Sequence, residues 1–301
     1  MNSYTFNFKY FLLTLFITIV LALLLMLLLI EKRLRSNLNN DSLNNYKNLL
    51  VQGKAPWIAL GDSHTANSLI SSKDLDNLGY PSDNLNSMSK KGLYRIKRSK
   101  PKGIIIQATP HTFSYYRISD NQEQKFKYLI SNKKTIFEFL NPNNRPYLVN
   151  YLNSIINNII DDLFNSNTRP ERNIKWYQKT ESAKEYETAV RVQLHTPILE
   201  FKEHKEFKNF KNIIQFYLDK KINVCLVRYP VSSIYLNKVN AIKIFKDVDT
   251  ELKKVAKNNN LIFLDLTSLF DDKYFGNTDH ISASGKKFLT KTVSRGCKIN
   301  D

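Results

Sequence analysis

The sequence predicts an α/β fold, a doubly wound parallel sheet carrying a helical insertion and preceded by one N-terminal transmembrane helix. Three observations carry that prediction. Four short apolar runs, Trp57 to Leu60, Gly103 to Ala108, Ile222 to Val227 and Leu261 to Leu266, are continuous rather than alternating, as suits strands buried on both faces of a parallel sheet. Helical periods lie between them. Phe207, Phe210, Ile213, Ile214 and Tyr217 recur at three- and four-residue spacing, as do Val239, Ile242, Ile244, Val248 and Leu252, so both segments predict amphipathic helices covering the sheet. Finally, Tyr10 to Ile30 is an apolar stretch of 21 residues interrupted only by Thr14 and Thr18, long enough for a helix to cross a bilayer.

That stretch ends in Glu31, Lys32 and Arg33 rather than at a small-residue cleavage site, which predicts an uncleaved anchor over residues 1–36. An Asn- and Leu-rich linker is expected at 37–53. Residues 54–301 then form the folded domain, enough chain at roughly 250 residues for one well-packed α/β core. Within it, Gln122 to Glu200 is longer than one crossover needs and holds aromatic-rich stretches, notably Pro146 to Phe164. It predicts an insertion, either helical padding or a wall over the sheet edge.

The formal net charge is +18, and most of it remains when the anchor and its flanks are set aside. Such a field attracts anionic lipid headgroups or anionic glycans, although a general bias toward Lys and Asn in the composition explains it equally well. With no zinc-finger, RRM or helix-turn-helix pattern, a nucleic-acid partner is not expected. Two cysteines exclude a disulfide framework and a Cys-based zinc site; Cys225 is expected buried in a strand and Cys297 free.

The chemistry concentrates at two segments. GDSHTA, Gly61 to Ala66, follows the first apolar run, and a strand that delivers a serine into the turn before a helix exposes its hydroxyl at the C-terminal edge of the sheet. Ser63 is the candidate nucleophile. DHISASG, Asp279 to Gly285, supplies His280 as the base that a serine hydroxyl needs at neutral pH. The bland alternatives are a helix-capping serine at position 63 and a surface-loop histidine at 280. Asp62, His64, Asp279 and His280 can converge, but no metal-ligand spacing such as His-x-x-x-His exists, so no metal is expected. A Walker loop and a GxGxxG fingerprint are also absent, and no cofactor is expected.

At these two segments the sequence resembles the SGNH, or GDSL-like, hydrolase superfamily. More narrowly it is similar to the membrane-anchored bacterial branch that includes envelope polysaccharide O-acyltransferases and the teichoic acid D-alanyl transfer protein. Gly61, Asp62 and Ser63 match the family's first block, and His280, Ser282 and Gly285 match its last. The resemblance covers Lys54 to the C-terminus and implies a flavodoxin-like sheet. The family's triad aspartate falls at position 277, which is Asn277 here, while Asp279 adjoins the histidine; either could orient His280.

For the oxyanion the resemblance implies the backbone N–H of Ser63, a small residue after the second strand, for which Gly92 or Ser89 is available, and a third donor near His111. Asp62 would fix the turn and His64 would line the site. The expected function is cleavage or transfer of an O-acyl group, acetyl being the first candidate, on an envelope glycan or lipid-linked saccharide, with a membrane acyl-donor protein as a further partner. The alternative is a weak or inactive saccharide-binding scaffold subunit, motivated by Asn277. Lys32, Arg33 and Arg35 after the anchor favour a cytoplasmic domain by the positive-inside tendency, whereas the resemblance implies the extracytoplasmic side.

Overall fold

The computed structural model describes residues 8–38, 41–118 and 175–299, together with Phe137, Leu140, Val149, Leu152 and Asn153. The chain divides into two compact units, residues 1–45 with 131–170, and residues 46–130 with 171–301. In the first, helix α1 (Phe8–Leu38) contains an apolar span, Phe8–Lys32, whose 25 residues are long and apolar enough to cross a membrane. Helix α2 (Asp41–Gln52) occupies most of the stretch expected as linker. Its second half joins the larger unit, where Leu50 is buried and the Tyr46 hydroxyl donates to the Leu78 carbonyl at 3.1 Å.

The larger unit is built on five parallel strands: β1 (Trp57–Leu60), β2 (Leu75–Asn77), β3 (Gly103–Gln107), β4 (Asn223–Arg228) and β5 (Ile262–Asp265). Their spatial order is β2-β1-β3-β4-β5, a doubly wound sheet of flavodoxin-like order. The chain leaves β1 for β2 on one side and reaches β3 on the other. Such a reversal opens a crevice beyond the carboxyl ends of β1 and β3, which is where ligands sit in sheets of this kind. Register brings those ends level, with Leu60 opposite Ile106 and Gln107 opposite Val227.

Short α3 (Ser63–Ser68) follows β1, and α4 (Leu85–Arg98) connects β2 to β3. After β3 come a 3-10 turn, Pro110–Phe113, and the short α5 (Tyr115–Ile118). The described chain resumes before α6 (Glu181–His195) and α7 (Lys205–Asp219), then α8 (Ser233–Ala241) and α9 (Lys243–Asn258) flank β4 and β5, and α10 (Ala283–Gly296) closes the domain. Helix α7 turns Phe207, Phe210, Ile214 and Tyr217 inward, as its period requires.

The fold departs from the sequence reading at five places. Strand β2, Leu-Asp-Asn, was not expected, because its three residues include no β-branched or aromatic side chain; it is fixed by pairing with β1 and by a buried ion pair from Asp76 to Arg95 at 2.9 Å. Strand β5 lies at the sheet edge and is half-buried rather than enclosed on both faces. The period through Val239 to Leu252 belongs to two helices, not one, separated at Ile242, which is extended; no glycine or proline marks the break. Most of Gln122 to Glu200 lies outside the described residues, but α6 falls inside that range and packs on α8, so this part belongs to the domain's own layers.

The fifth departure concerns the cysteines. Cys297 is not free: it is disulfide-bonded to Cys225 in the middle of β4, with the two Cα atoms 5.7 Å apart. Cys225 is buried in a strand as expected. A single pair 72 residues apart carries no spacing pattern, so only the packing of α10 back onto the sheet brings the thiols together.

Candidate active site

Strand β1 delivers the chain to Gly61, which cannot be larger: a Cβ there would lie 1.8 Å from Thr65 Oγ1 and 2.6 Å from Gln107 Oε1. Asp62 caps α3, its carboxylate accepting the His64 backbone N–H at 2.8 Å. Ser63 therefore takes the first helical position, half-buried, where its own N–H has no intrahelical acceptor. Gln107 at the end of β3 ties the turn to the neighbouring strand, its Oε1 accepting from Asp62 N and from Thr65 Oγ1, both at 3.0 Å.

His280 arrives from the far end of the chain. Its Nε2 stands 2.7 Å from Ser63 Oγ, across 217 residues of sequence. On the other side Nδ1 lies 3.0 Å from Asn277 Oδ1. That Asn277 oxygen also accepts the backbone N–H of Asp279 at 3.1 Å and of His280 at 2.8 Å, so it is the carbonyl end of the amide. The His280 proton must then reside on Nδ1, leaving the Nε2 lone pair facing the serine. The loop is clamped from outside: the Thr278 carbonyl accepts from Ser232 Oγ at 2.7 Å, and the Thr278 and Thr188 hydroxyls are 2.8 Å apart.

Beneath this pair lies a buried charge network. Asp62 Oδ2 accepts from Arg117 Nη2 at 2.6 Å and from His111 Nε2 at 2.8 Å, and Oδ1 is 3.1 Å from His64 Nδ1. Burial opposes ionisation of Asp62, but Arg117, His111 and His64 outweigh it and hold the carboxyl well below its usual range. His111 is driven the other way, burial lowering it to about 4 against the pull of Asp62. It is neutral at pH 7. His195 is likewise held low by burial and by neighbouring His111, and its Nδ1 pairs with the Tyr235 hydroxyl at 2.9 Å. Four of the five histidines gather here, with ring centroids 4.8 Å apart for His64 and His280, 4.4 Å for His64 and His111, and 4.5 Å for His111 and His195.

Asp279 is fully buried beside His280. Its Oδ1 lies 3.2 Å from His280 Nδ1, but that N–H is directed at Asn277, and neither Asp279 oxygen receives a full hydrogen bond. Arg191 Nε at 3.5 Å, His64 Nε2 at 3.6 Å and His195 Nε2 at 3.8 Å complete its surroundings. Burial raises the Asp279 carboxyl, yet His280, His64 and His195 together hold it well below the usual range.

Two expected oxyanion contributors are not at the site. Gly92 sits in the middle of α4, where its N–H belongs to the helix ladder and a Cβ would meet Tyr217 Oη at 1.9 Å; its smallness serves helix packing. Ser89 lies on the same helix. The small residue that follows the second strand is Gly79, whose N–H is taken by Asn77 Oδ1 at 3.0 Å. His111 is buried with Nε2 engaged by Asp62, so it braces the turn from below instead of offering that nitrogen to an oxyanion.

Sequence reasoning also passed over Arg117, Arg191, His195, Thr188 and Ser232, which come from segments without a motif. The groups Asp62, His64, His111 and His64, Asp279, His280 have ligand atoms close enough for a metal, all within 4.8 Å. Arg117 already holds a cation against Asp62, and both ring nitrogens of His280 are engaged, Nε2 with Ser63 and Nδ1 with Asn277.

No protein-family model matches the chain, and no curated protein matches it. It is similar to solved structures of GDSL-like acylhydrolases. A lipase/acylhydrolase from Enterococcus faecalis has 15% identity over 80% of this chain and 94% of that one, with a TM-score of 0.38. A GDSL-like lipase from Bacteroides thetaiotaomicron has 10% identity over 81% and 88%, TM-score 0.41. A catalytic mutant of an acetylxylan esterase from Geobacillus stearothermophilus has 8% identity over 80% and 93%, TM-score 0.39.

Proposed function

We propose that the protein is a membrane-anchored serine esterase or acyltransferase that removes or transfers an O-acyl group on an envelope glycan or lipid-linked saccharide. The observation that carries this reading is the 2.7 Å approach of Ser63 Oγ to a His280 Nε2 whose tautomer is set by Asn277. Ser63 attacks the ester carbonyl while His280 accepts its proton, then returns that proton to the departing alcohol. Water at the second stage gives an esterase; a sugar hydroxyl gives a transferase. Asp62, His64 and His111 take no proton in this scheme and hold the turn in place.

The disulfide between Cys225 and Cys297 supports a domain outside the cytoplasm, since such bonds persist in oxidising compartments. The apolar span Phe8–Lys32 supports an anchor, and the net charge of +18 suits an anionic envelope surface. Asn277 at the triad aspartate's position is what favours the scaffold reading, and that reading is one outcome of the test. A fluorophosphonate probe should label the detergent-solubilised full-length protein, and labelling should vanish in Ser63→Ala and His280→Ala variants that keep the wild-type melting profile. An unlabelled wild-type protein would return the reading to a binding subunit. Release of acetate from an O-acetylated polysaccharide, with and without an added sugar acceptor, separates esterase from transferase.

A further inference from the structure

Beside a catalytic histidine one carboxylate ordinarily does two things: it fixes the ring, and it offsets the positive charge the ring acquires. Asn277 can do only the first. Its carbonyl oxygen accepts three N–H groups, Nδ1 among them, yet an amide bears no charge to set against an imidazolium. Asp279 has the complementary properties: a fully buried carboxylate, 3.2 Å from the same Nδ1, with neither oxygen taken by a hydrogen bond from the described residues.

We propose that the third role of the catalytic group is divided between two residues, Asn277 orienting His280 and Asp279 supplying the negative charge. The inference rests on the serine–histidine reading above. As the bond from Ser63 Oγ to the carbonyl carbon forms, the hydroxyl proton passes to Nε2 and the carbonyl electron pair moves onto oxygen. When the intermediate collapses, the bond to the alcohol oxygen breaks and that oxygen takes the proton from Nε2. The ring is positive only between these events, and Asp279 lowers the energy of that state. Its other neighbours are arranged to keep it a carboxylate without capturing it: Arg191 and His195 from α6 and His64 from α3 stand 3.5 to 3.8 Å away, beyond direct hydrogen bonds. His64 in turn is tethered through Nδ1 to Asp62, so the α3 turn that presents Ser63 also positions a partner for Asp279.

The test is p-nitrophenyl acetate hydrolysis by the full-length protein in detergent, followed as kcat/KM against pH. Asp279→Asn should lower kcat/KM by on the order of 10²-fold and shift the acid limb of the profile to lower pH, because the positive ring loses its counter-charge. Asn277→Ala should lower the rate and leave that limb in place. The exchange Asn277→Asp with Asp279→Asn should bring the limb back to its wild-type position. A folded Asp279→Asn variant with an unmoved limb would overturn the division of roles, whatever its rate. Should Asp279→Asn not fold, Asp279→Ser removes the same charge with a smaller side chain, and a folded variant whose acid limb stays at the wild-type position overturns the proposal. Wild-type protein that takes no fluorophosphonate label sinks the serine reading itself; labelled protein with an unmoved limb sinks only this inference.

Discussion

The Asp62 carboxylate gathers Arg117, His111 and His64, and its environment has a consequence for acid stability. His111 titrates at about 4 in the folded protein against an ordinary 6.5, and His195 is also held low, so as pH falls the unfolded chain takes up these protons first. Stability is therefore full above about pH 6.5 and declines toward pH 4. Asp62 works in the same direction at lower pH: its folded value lies below the ordinary 3.8, so its contribution is present above that value and is lost further down. Urea midpoints measured from pH 7 to 4.5 should fall, His111 alone contributing roughly 1–3 kcal/mol, and His195→Gln should flatten the slope. A midpoint independent of pH over that range would contradict neutral burial of these rings. At this scale Ser63, His280 and Asn277 were legible, because each lies in a segment whose local order resembles a known block. Arg117 and His195 were not: nothing local distinguishes them from other charged helix residues.

Among the elements, β1 and α3 place Ser63 and α4 supports β1 and β2 from one face. The expectation that Gly92 serves the oxyanion failed because the second strand had not been recognised, so the search for a small residue began too far along the chain. The structure gives Gly92 a different task. Gly92→Ala would drive a methyl group against Tyr217 Oη, which is buried without a hydrogen-bond partner among the described residues, and should cost about 1–3 kcal/mol in urea unfolding through overpacking. Fluorophosphonate labelling of Ser63 in that variant should proceed within about twofold of the wild-type rate. A folded Gly92→Ala protein that loses labelling would put this helix back at the reacting centre.

For the whole molecule, the apolar span, the charge and the disulfide bear on one question, the compartment of the larger unit. A reporter active only after export, fused behind Asp301, should be active despite Lys32, Arg33 and Arg35 on the near side of the span, since long domains translocate against a modest charge bias. Protein trapped with an alkylating reagent on lysis should show no free thiol until reduced. Cys297→Ser, which opens a 72-residue loop between strand β4 and the end of α10, should lower stability by about 4 kcal/mol in the chain-entropy account. A cytosol-only reporter that is active at the same fusion point would remove the envelope substrate along with the export.

The sequence by itself determined the fold class, the apolar span and the two segments that bear Ser63 and His280, because continuous hydrophobic runs, helical period and local turn residues are all short-range signals. Only the tertiary structure decided what depends on distant segments meeting. It paired Cys225 with Cys297, drew four histidines onto two aspartates, and set both Asn277 and Asp279 against one imidazole nitrogen. Strand β2 belongs to the second group for the same reason: its three residues have little strand preference of their own and become a strand only when β1 offers an edge and Arg95 neutralises Asp76.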